Sequence, residues 1–549
     1  MSFYPVSSRP AIAGVEVPGG DQAAARAVMV AVPVSALVWP VRAGSGGDSR
    51  SALLVAGTSP IATGEPVVWC TVVVTAPAVV RRDGRVQAQG RPCDHARLGV
   101  AEQELDRLCG PGTIERIAVG VRPTGKIKAA GKARARREMS VAFTIRATLL
   151  MTVMPDADAR EVLTTLLGDL IEVPWRRAHA VPSGTVLSSW RAAIGEAPLQ
   201  QLQRELLAAV GAEHRDPALP RVEVGGGLRL GAIDGTVTRM PDSAANRAAF
   251  GTAGQAETGY PQIRHLHVSD ALTRATLAVV CGPAGGDKAG TKGEAEQALL
   301  DRALAEQPQV FTPDRLWIMD RNFPGVPRIA AMLATGSHVL VRVKSDIRLP
   351  RIGPFAADGS YLTRLSGGGT SVTMRVVEYH VSIDGATTPE LFCLVTDLLD
   401  HTTHPAHQLA QAYRWRWDGS ETALREAKSA IHDAGPGTGA ILRSHNPELI
   451  RQEHAAWIVA TELVHAATRS AAAIAQPFRK GPRTGQPVAA RHLSFTTARR
   501  TLIATARVTT DRHRRRDHKI KSRQPFPHAP RGITTRTAPA RVHVCGTAA

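Results

Sequence analysis

Apolar residues follow several rhythms along this chain. From Met139 to Met154 the run MSVAFTIRATLLMTVM is almost wholly apolar, which predicts a helix buried on all sides. Asp156 and Asp158 stand where they can cap a second helix over Ala159–Ile171. AEQELDRL (Ala101–Leu108) also has helical spacing. VPSGTVLSSWRAAIGEAPLQQLQRELLAAV (Val181–Val210) predicts two helices, the first capped by Ser183, with Gly195 and Pro198 between them. Trp190 and Arg191 lie near the end of the first. Such a pair is compatible with a helix-turn-helix DNA reader and equally with a plain helical hairpin.

From Gly225 the rhythm shortens. GGGLRLGAIDGT reads as a turn, a strand over Leu228–Ile233 and an acid at the strand's end, Asp234. HLHVSDALTRATLAVVCG (His265–Gly282) predicts two strands with a turn near Asp270. A helix (Glu294–Gln307), a strand ending in Asp320 (RLWIMD), a helix closed by Gly336 and a strand HVLVRVK (His338–Lys344) follow. This alternation implies a mixed α/β sheet. Between about Asp346 and Leu399 the composition turns β-rich, as in an inserted all-β segment. Helices resume with HQLAQAYRWRW, ETALREAKSAI and the long apolar PELIRQEHAAWIVATELVHAATRSAAA (Pro447–Ala473).

Composition narrows the function. The chain has 549 residues, 43% of them hydrophobic, room for roughly three or four folded units. Its net charge of +19 points to a polyanionic partner, nucleic acid first. Thirteen basic residues from Arg499 onward are opposed only by Asp511 and Asp517, so the basic end suits DNA phosphates. The basic stretch Val121–Glu138 is compatible with a loop facing an anion and with a solvated charge run. Six cysteines form no CxxC pair, which argues against a disulfide scaffold and fits a reducing cytosol. No stretch is long enough for a confident membrane span, and the N-terminus lacks a signal-peptide pattern, so a cytoplasmic, nucleoid-associated location is expected. Residues 1–93 have no sustained period and suggest no function.

Asp234 and Asp320 each end an apolar strand. If those strands are neighbours, their carboxylates converge at one sheet edge, the hard-oxygen environment that Mg²⁺ takes. A third carboxylate from a helix, Glu421, would complete a two-metal site for in-line displacement at phosphate. No Ser/His/Asp order or phosphate-binding glycine loop competes with it. His265 and His267 alternate on a strand without a third ligand nearby and are read as ordinary strand residues.

These residues sit in blocks that resemble the DDE transposases of bacterial insertion sequences, specifically the insertion-sequence-four group. AIDGTVTRMPDSAANRAAFG (Ala232–Gly251) is similar to that family's first-aspartate block, LWIMDRNFPG (Leu316–Gly325) to its second, and YRWRWDGSETALREAK (Tyr413–Lys428) to its Tyr-Arg-Glu-Lys signature. The resemblance covers about Asp94 to Pro530. It implies a ribonuclease-H-like catalytic domain over 225–475 with a β-rich insertion at about 346–399. A helical DNA-binding domain over 94–213 would precede it and a basic tail over 476–549 would follow. It further implies that Asp234, Asp320 and Glu421 hold two Mg²⁺ ions (Mn²⁺ able to substitute). The partner would be double-stranded DNA at the element's ends and at the target, with a homodimer in the synaptic complex. Tyr413, Arg416 and Lys428 would grip phosphates.

The family places Glu four residues after Arg, where Ser420 stands, and Glu421 comes one later. A one-residue shift turns a helical side chain by about 100°, so Glu426 stays open as the alternative third carboxylate. Arg321 and Asn322 after the second aspartate, and Lys344 and Arg348 after a strand, divide between DNA contact and solvated surface. Asp242 and Asn246 divide between function and shaping their loop, and Trp415 and Trp417 between base stacking and core packing. Two further functions fit the residues: a decayed relative that only binds DNA, and a nuclease that cuts without joining.

Overall fold

The computed structural model of the chain describes residues 96–124, 139–171, 181–216, 224, 227–252, 259–285, 293–344, 346–382, 390–431, 442–479, 481 and 483–506, with strands at 27–33, 52–60, 66–74, 78–80, 86–88 and 541–544. It divides into two units, Met1–Arg91 and Pro92–Ala549. In the first, β1 (Ala27–Pro33), β2 (Ala52–Pro60) and β3 (Pro66–Val74) make an antiparallel sheet with β3 in the middle, and β4 (Ala78–Val80) pairs with β5 (Val86–Ala88). Most of the basic stretch Val121–Glu138, from 125 on, and the basic tail from 507 to 540 lie outside the described residues.

The second unit is built on a ten-stranded mixed sheet. Its strands are β6 (Arg229–Arg239), β7 (Gln262–Asp270), β8 (Thr276–Pro283), β9 (Arg315–Met319), β10 (His338–Arg342), β11 (Arg351–Ile352), β12 (Tyr361–Gly367), β13 (Thr370–Ser382), β14 (Glu390–Thr396) and β15 (Arg541–Val544). The order is β11-β12-β13-β14-β10-β9-β6-β7-β8, with β15 beside β13. β6, β9 and β10 run parallel, and the remaining ladders are antiparallel. The β-rich segment expected as an insertion therefore extends the central sheet, because β14 returns to pair with β10 (Leu340 opposite Thr396).

Alternation along the parallel strands sorts their side chains to two faces. Ala232, Ile318 and Leu340 join Leu409 and Tyr413 of α10 (Ala406–Arg416) in one core. Ile233, Trp317, Met319, Val339 and Val341 enter the larger core on the other face. That core also takes helices α1 (Val100–Cys109), α2 (Thr113–Val119), α3 (Val141–Val153), α4 (Ala159–Ile171), α5 (Gly184–Ile194) and α6 (Ala197–Glu213). α7 (Ala244–Phe250) follows β6, and α8 (Glu296–Glu306) and α9 (Val326–Ala334) flank β9. α11 (Thr422–Ile431), α12 (Pro447–Ala473) and α13 (Phe495–Thr505) complete the set.

The helical region 94–213 is thus packed into the same compact unit as the sheet. α12 runs through it, buried from Gln452 to Thr468 and capped by the Asn446 side chain, which accepts from the Glu448 and Leu449 N–H groups. α3 is buried from Phe143 to Val153, so its all-round apolar character has its reason. It carries one charge inward, Arg146, which pairs with Glu102 and with Glu115 (2.6 Å). α5 packs mainly against α3, and α6 against α12. Arg191, which a DNA reader would expose, is buried and donates to Gln452 Oε1 (2.8 Å). The stretch 476–549 is not all tail: Phe495, Ala498 and Leu502 of α13 are buried in the core.

One glycine fixes the spacing of the two parallel strands that matter most below. Gly231 of β6 lies opposite Trp317 of β9, and a Cβ at Gly231 would run into the indole ring, which is fully buried. Gly231→Ala is expected to lower stability by about 1–3 kcal/mol through overpacking. Trp317→Leu in the same background should recover part of the loss. Thermal and denaturant melts check this; an unchanged melting temperature for the single variant would contradict it.

Candidate active site

β6 and β9 are in register from Arg229 opposite Arg315 to Ile233 opposite Met319. Each strand's next residue is an aspartate, so Asp234 and Asp320 emerge side by side. By parity both share the face of Ala232 and Ile318, the face covered by α10. The sequence pattern ends the first strand at Ile233; in the structure β6 continues to Arg239. It loses its β9 neighbour after Ile233 but stays paired to β7, with Asp234 opposite His267. Asp234 therefore sits inside a strand, held on one side and open on the side where Asp320 begins its loop. The Gly235 N–H donates to Asp234 Oδ1 (2.9 Å), and the Asn322 N–H to Asp320 Oδ1 (2.8 Å).

The third group arrives through an irregularity. Between α10 and α11 the chain makes one π-helical turn, Trp417–Glu421, in which the Thr422 N–H donates to the Trp417 carbonyl. In an α-helix a residue five positions on is turned away by about 140°. A π turn, closed by i→i+5 bonds, brings residue i+5 back over residue i. The extra residue between Arg416 and Glu421 is absorbed in this way, and Arg416 Nη2 lies 3.1 Å from Glu421 Oε1. The other guanidinium nitrogen, Nη1, lies 3.8 Å from Asp234 Oδ2.

Glu426 is elsewhere. Both its oxygens accept from Arg274 Nη1 (2.9 and 3.0 Å), and His465 Nε2 is 3.7 Å away. Burial would raise its pKa, but His465 and Arg274 outweigh burial and hold it below the usual range. It is a structural ion pair.

Burial pushes the Asp234 carboxyl up to about 6. Arg416 pulls it down, while the charges of Asp320 and Glu421 raise it further. Arg416 is itself mostly buried; desolvation depresses its pKa, but Tyr413 and the three carboxylates more than offset this and keep it charged. One guanidinium thus lies between two of the acids, Asp234 and Glu421. Among the described residues no group of three or more His, Cys, Asp or Glu is close enough to hold a metal ion. The donor set nonetheless suits a hard divalent cation: carboxylate oxygens only, with Asp234 raised chiefly by burial and further by the neighbouring acids, both of which a bound cation would offset.

The remaining expected residues divide. Arg321, Asn322, Lys344 and Arg348 are all exposed. Lys344 follows β10, parallel to β9, and so leaves the sheet at the same end as Asp320. Tyr413 is buried in the α10 core, edge-on to Phe392, and burial raises its hydroxyl to about 12. It stands beside Arg416 and is not presented to solvent. Lys428 lies on α11, and its side chain is outside the described residues. Trp415 packs against the α10 core, whereas Trp417 is 51% exposed beneath the Arg416 guanidinium. Asn246 shapes its loop, donating to the Pro241 and Ser444 carbonyls, and Asp242 pairs with Arg247. His265 and His267 are hydrogen-bonded strand residues (2.8 Å).

Sequence reasoning missed the supports: Ser269, whose hydroxyl reaches the Gly419 carbonyl, and Arg274 on Glu426. The signal for the first was Gly419, a helix breaker placed where the spacing had gained a residue.

Residues 225–432 match the family described as "Transposase DDE domain". The chain is 26% identical over 252 residues to the transposase InsG for insertion sequence element IS4 of Escherichia coli (strain K12), covering 43% of this chain and 52% of that protein. It therefore spans about half the length of the curated relative it matches. A solved structure of the piggyBac transposase synaptic complex with hairpin DNA aligns at a TM-score of 0.41 and 13% identity, over 80% of this chain and 86% of that one.

Asp234 also gives a pH prediction. With its folded pKa near 6 and an ordinary value of 3.8, the folded state binds the extra proton between those values. Stability therefore falls as the pH rises through that window. In chelator-containing buffer, Asp234→Asn should exceed the wild type above the window by about 2–3 kcal/mol. The advantage should shrink steadily as the pH drops toward 3.8. Denaturant melts across pH test this; a pH-independent difference would contradict it.

Proposed function

We propose, on the premise that residues 225–432 form a transposase DDE domain of the IS4 type, that this chain binds the ends of an insertion sequence, cuts the DNA there and joins the freed ends to target DNA. The observation that carries the proposal is the convergence of Asp234 and Glu421 on one guanidinium, with Asp320 at the adjacent strand end.

On this reading Asp234, Asp320 and Glu421 would hold two Mg²⁺ ions, with Mn²⁺ able to substitute, which would supply positive charge to stabilise the phosphoryl transfer. The protein's own part is positioning. Strand register fixes Asp234 relative to Asp320, and the π turn presents Glu421 from the opposite side. Arg416, beside Asp234 and Glu421, is placed to meet a non-bridging phosphate oxygen once the carboxylates are otherwise engaged. Tyr413 acts through Arg416, since it is buried beside that side chain. Arg321, Lys344 and Arg348, exposed at the same end of the sheet, and Lys428 on the following helix, would follow the DNA backbone. The reaction is hydrolysis of a phosphodiester to free a 3′-OH, then attack of that hydroxyl on a target phosphodiester. Handling two ends together calls for a homodimer in the synaptic complex.

The test is cleavage of a labelled element-end duplex with Mg²⁺. The wild type should cut it, Asp234→Ala, Asp320→Ala and Glu421→Ala should each lose at least about a hundredfold in rate, and Glu426→Ala, if folded, should keep measurable cutting. A wild type that binds the duplex and never cuts it with Mg²⁺ or Mn²⁺ would reduce the function to DNA binding. Cutting without a joined product would make it a nuclease only.

A further inference from the structure

The turn between β7 and β8 touches the chain on both sides of Glu421. Two residues before Glu421, Gly419 lies against that turn: a Cβ there would overlap the backbone Cα of Ala271. The Ser269 hydroxyl is within 3.2 Å of the Gly419 carbonyl and 3.3 Å of the Ala232 carbonyl, so it links the π turn to the strand that carries Asp234. Five residues after Glu421, Glu426 takes both its bonds from Arg274.

The turn itself is stiff. Asp270 Oδ1 accepts from the Leu272 and Thr273 N–H groups and from the Thr273 hydroxyl (3.1, 3.0 and 3.0 Å), and its other oxygen faces Arg315 Nη1 at 3.3 Å. The Ala271 N–H donates to the Leu230 carbonyl of β6 (3.0 Å). Arg274 has φ of 58°, a left-handed backbone that a non-glycine residue holds only when its surroundings require it. That conformation accompanies its reach to Glu426.

We propose that the β7–β8 turn is the mount for the third carboxylate, with Ser269, Gly419 and Arg274 as positioning residues that keep Glu421 in register with Asp234. An α-helix would hold a side chain in place by its own regularity. A π turn has surrendered that regularity, so its aim has to be set from outside. The mount does this from β6 and β7, the strands that also fix Asp234, so the first and third carboxylates share one frame. The inference rests on the proposed role of Glu421 as a metal ligand.

The experiment is Mn²⁺ binding to the intact, DNA-free protein, followed by the electron paramagnetic resonance of free Mn²⁺, with melting temperatures recorded alongside. Glu421→Gln should weaken binding. Ser269→Ala and Arg274→Met should each weaken it about tenfold to a hundredfold, as loss of an outer support does. In the Glu421→Gln background the same substitutions should add nothing, because they act through Glu421. A purely structural role would leave Mn²⁺ affinity unchanged while lowering the melting temperature, and would overturn the proposal. Losses that multiply in the double variants would overturn it too. If Arg274→Met fails to fold, Ser269→Ala, which deletes one hydroxyl, carries the test. If Glu421→Gln itself binds Mn²⁺ like the wild type, the metal-ligand reading of Glu421 falls, and the mount with it.

Discussion

Two carboxylates leave adjacent parallel strands at the same level, and the protein around them is arranged to hold that repulsion in place. Register makes the placement unavoidable: with Ile233 opposite Met319, the next residues on β6 and β9 are neighbours. Both are acids on the same face, and the pKa of Asp234 is raised as a result of burial and of its charged neighbours. The fold does not relieve this by moving either strand, because the β6–β9 ladder holds them in register below the acids, with the buried Trp317 indole packed on Gly231.

Everything above the sheet follows from that fixed pair. Arg416 comes down from α10 between Asp234 and Glu421 and keeps the cluster from being a bare concentration of negative charge. Its own burial is tolerable only because acids surround it. On the proposed reading, a divalent cation would compete with this guanidinium for the same oxygens. The helical layer is well buried, α12 along most of its length and α3 from Phe143 to Val153.

Much of this was legible in the sequence. The strand-acid pattern at Asp234 and Asp320, the mixed sheet and the buried α3 and α12 follow from periodicity. They are local, and local pattern is what a sequence displays. Other features were not legible. The end of β6 was misplaced because the strand outlives one of its partners, and pairing with β7 is a tertiary fact. The β-rich segment reads as an insertion, yet β14 returns to β10 and extends the sheet; strand order leaves no trace in composition. α13 was placed in the tail on charge and position, while its burial depends on the helices packed around it. The choice between Glu421 and Glu426 turned on helix geometry. Counting at α-helical pitch leaves Glu421 misaligned, and only a π turn restores it. Glu426 is engaged instead by Arg274 and His465, which lie far from it in the sequence.

The central claim is that Asp234, Asp320 and Glu421 form one cation site for which Arg416 stands in. The most direct measurement is a crystal structure of the protein soaked in Mn²⁺, with anomalous scattering used to locate the metal. The account predicts anomalous density in contact with Asp234 and Asp320, and Arg416 swung out of its position between Asp234 and Glu421. Density bound to other residues, or none at the ends of β6 and β9 with Arg416 unmoved, would contradict it.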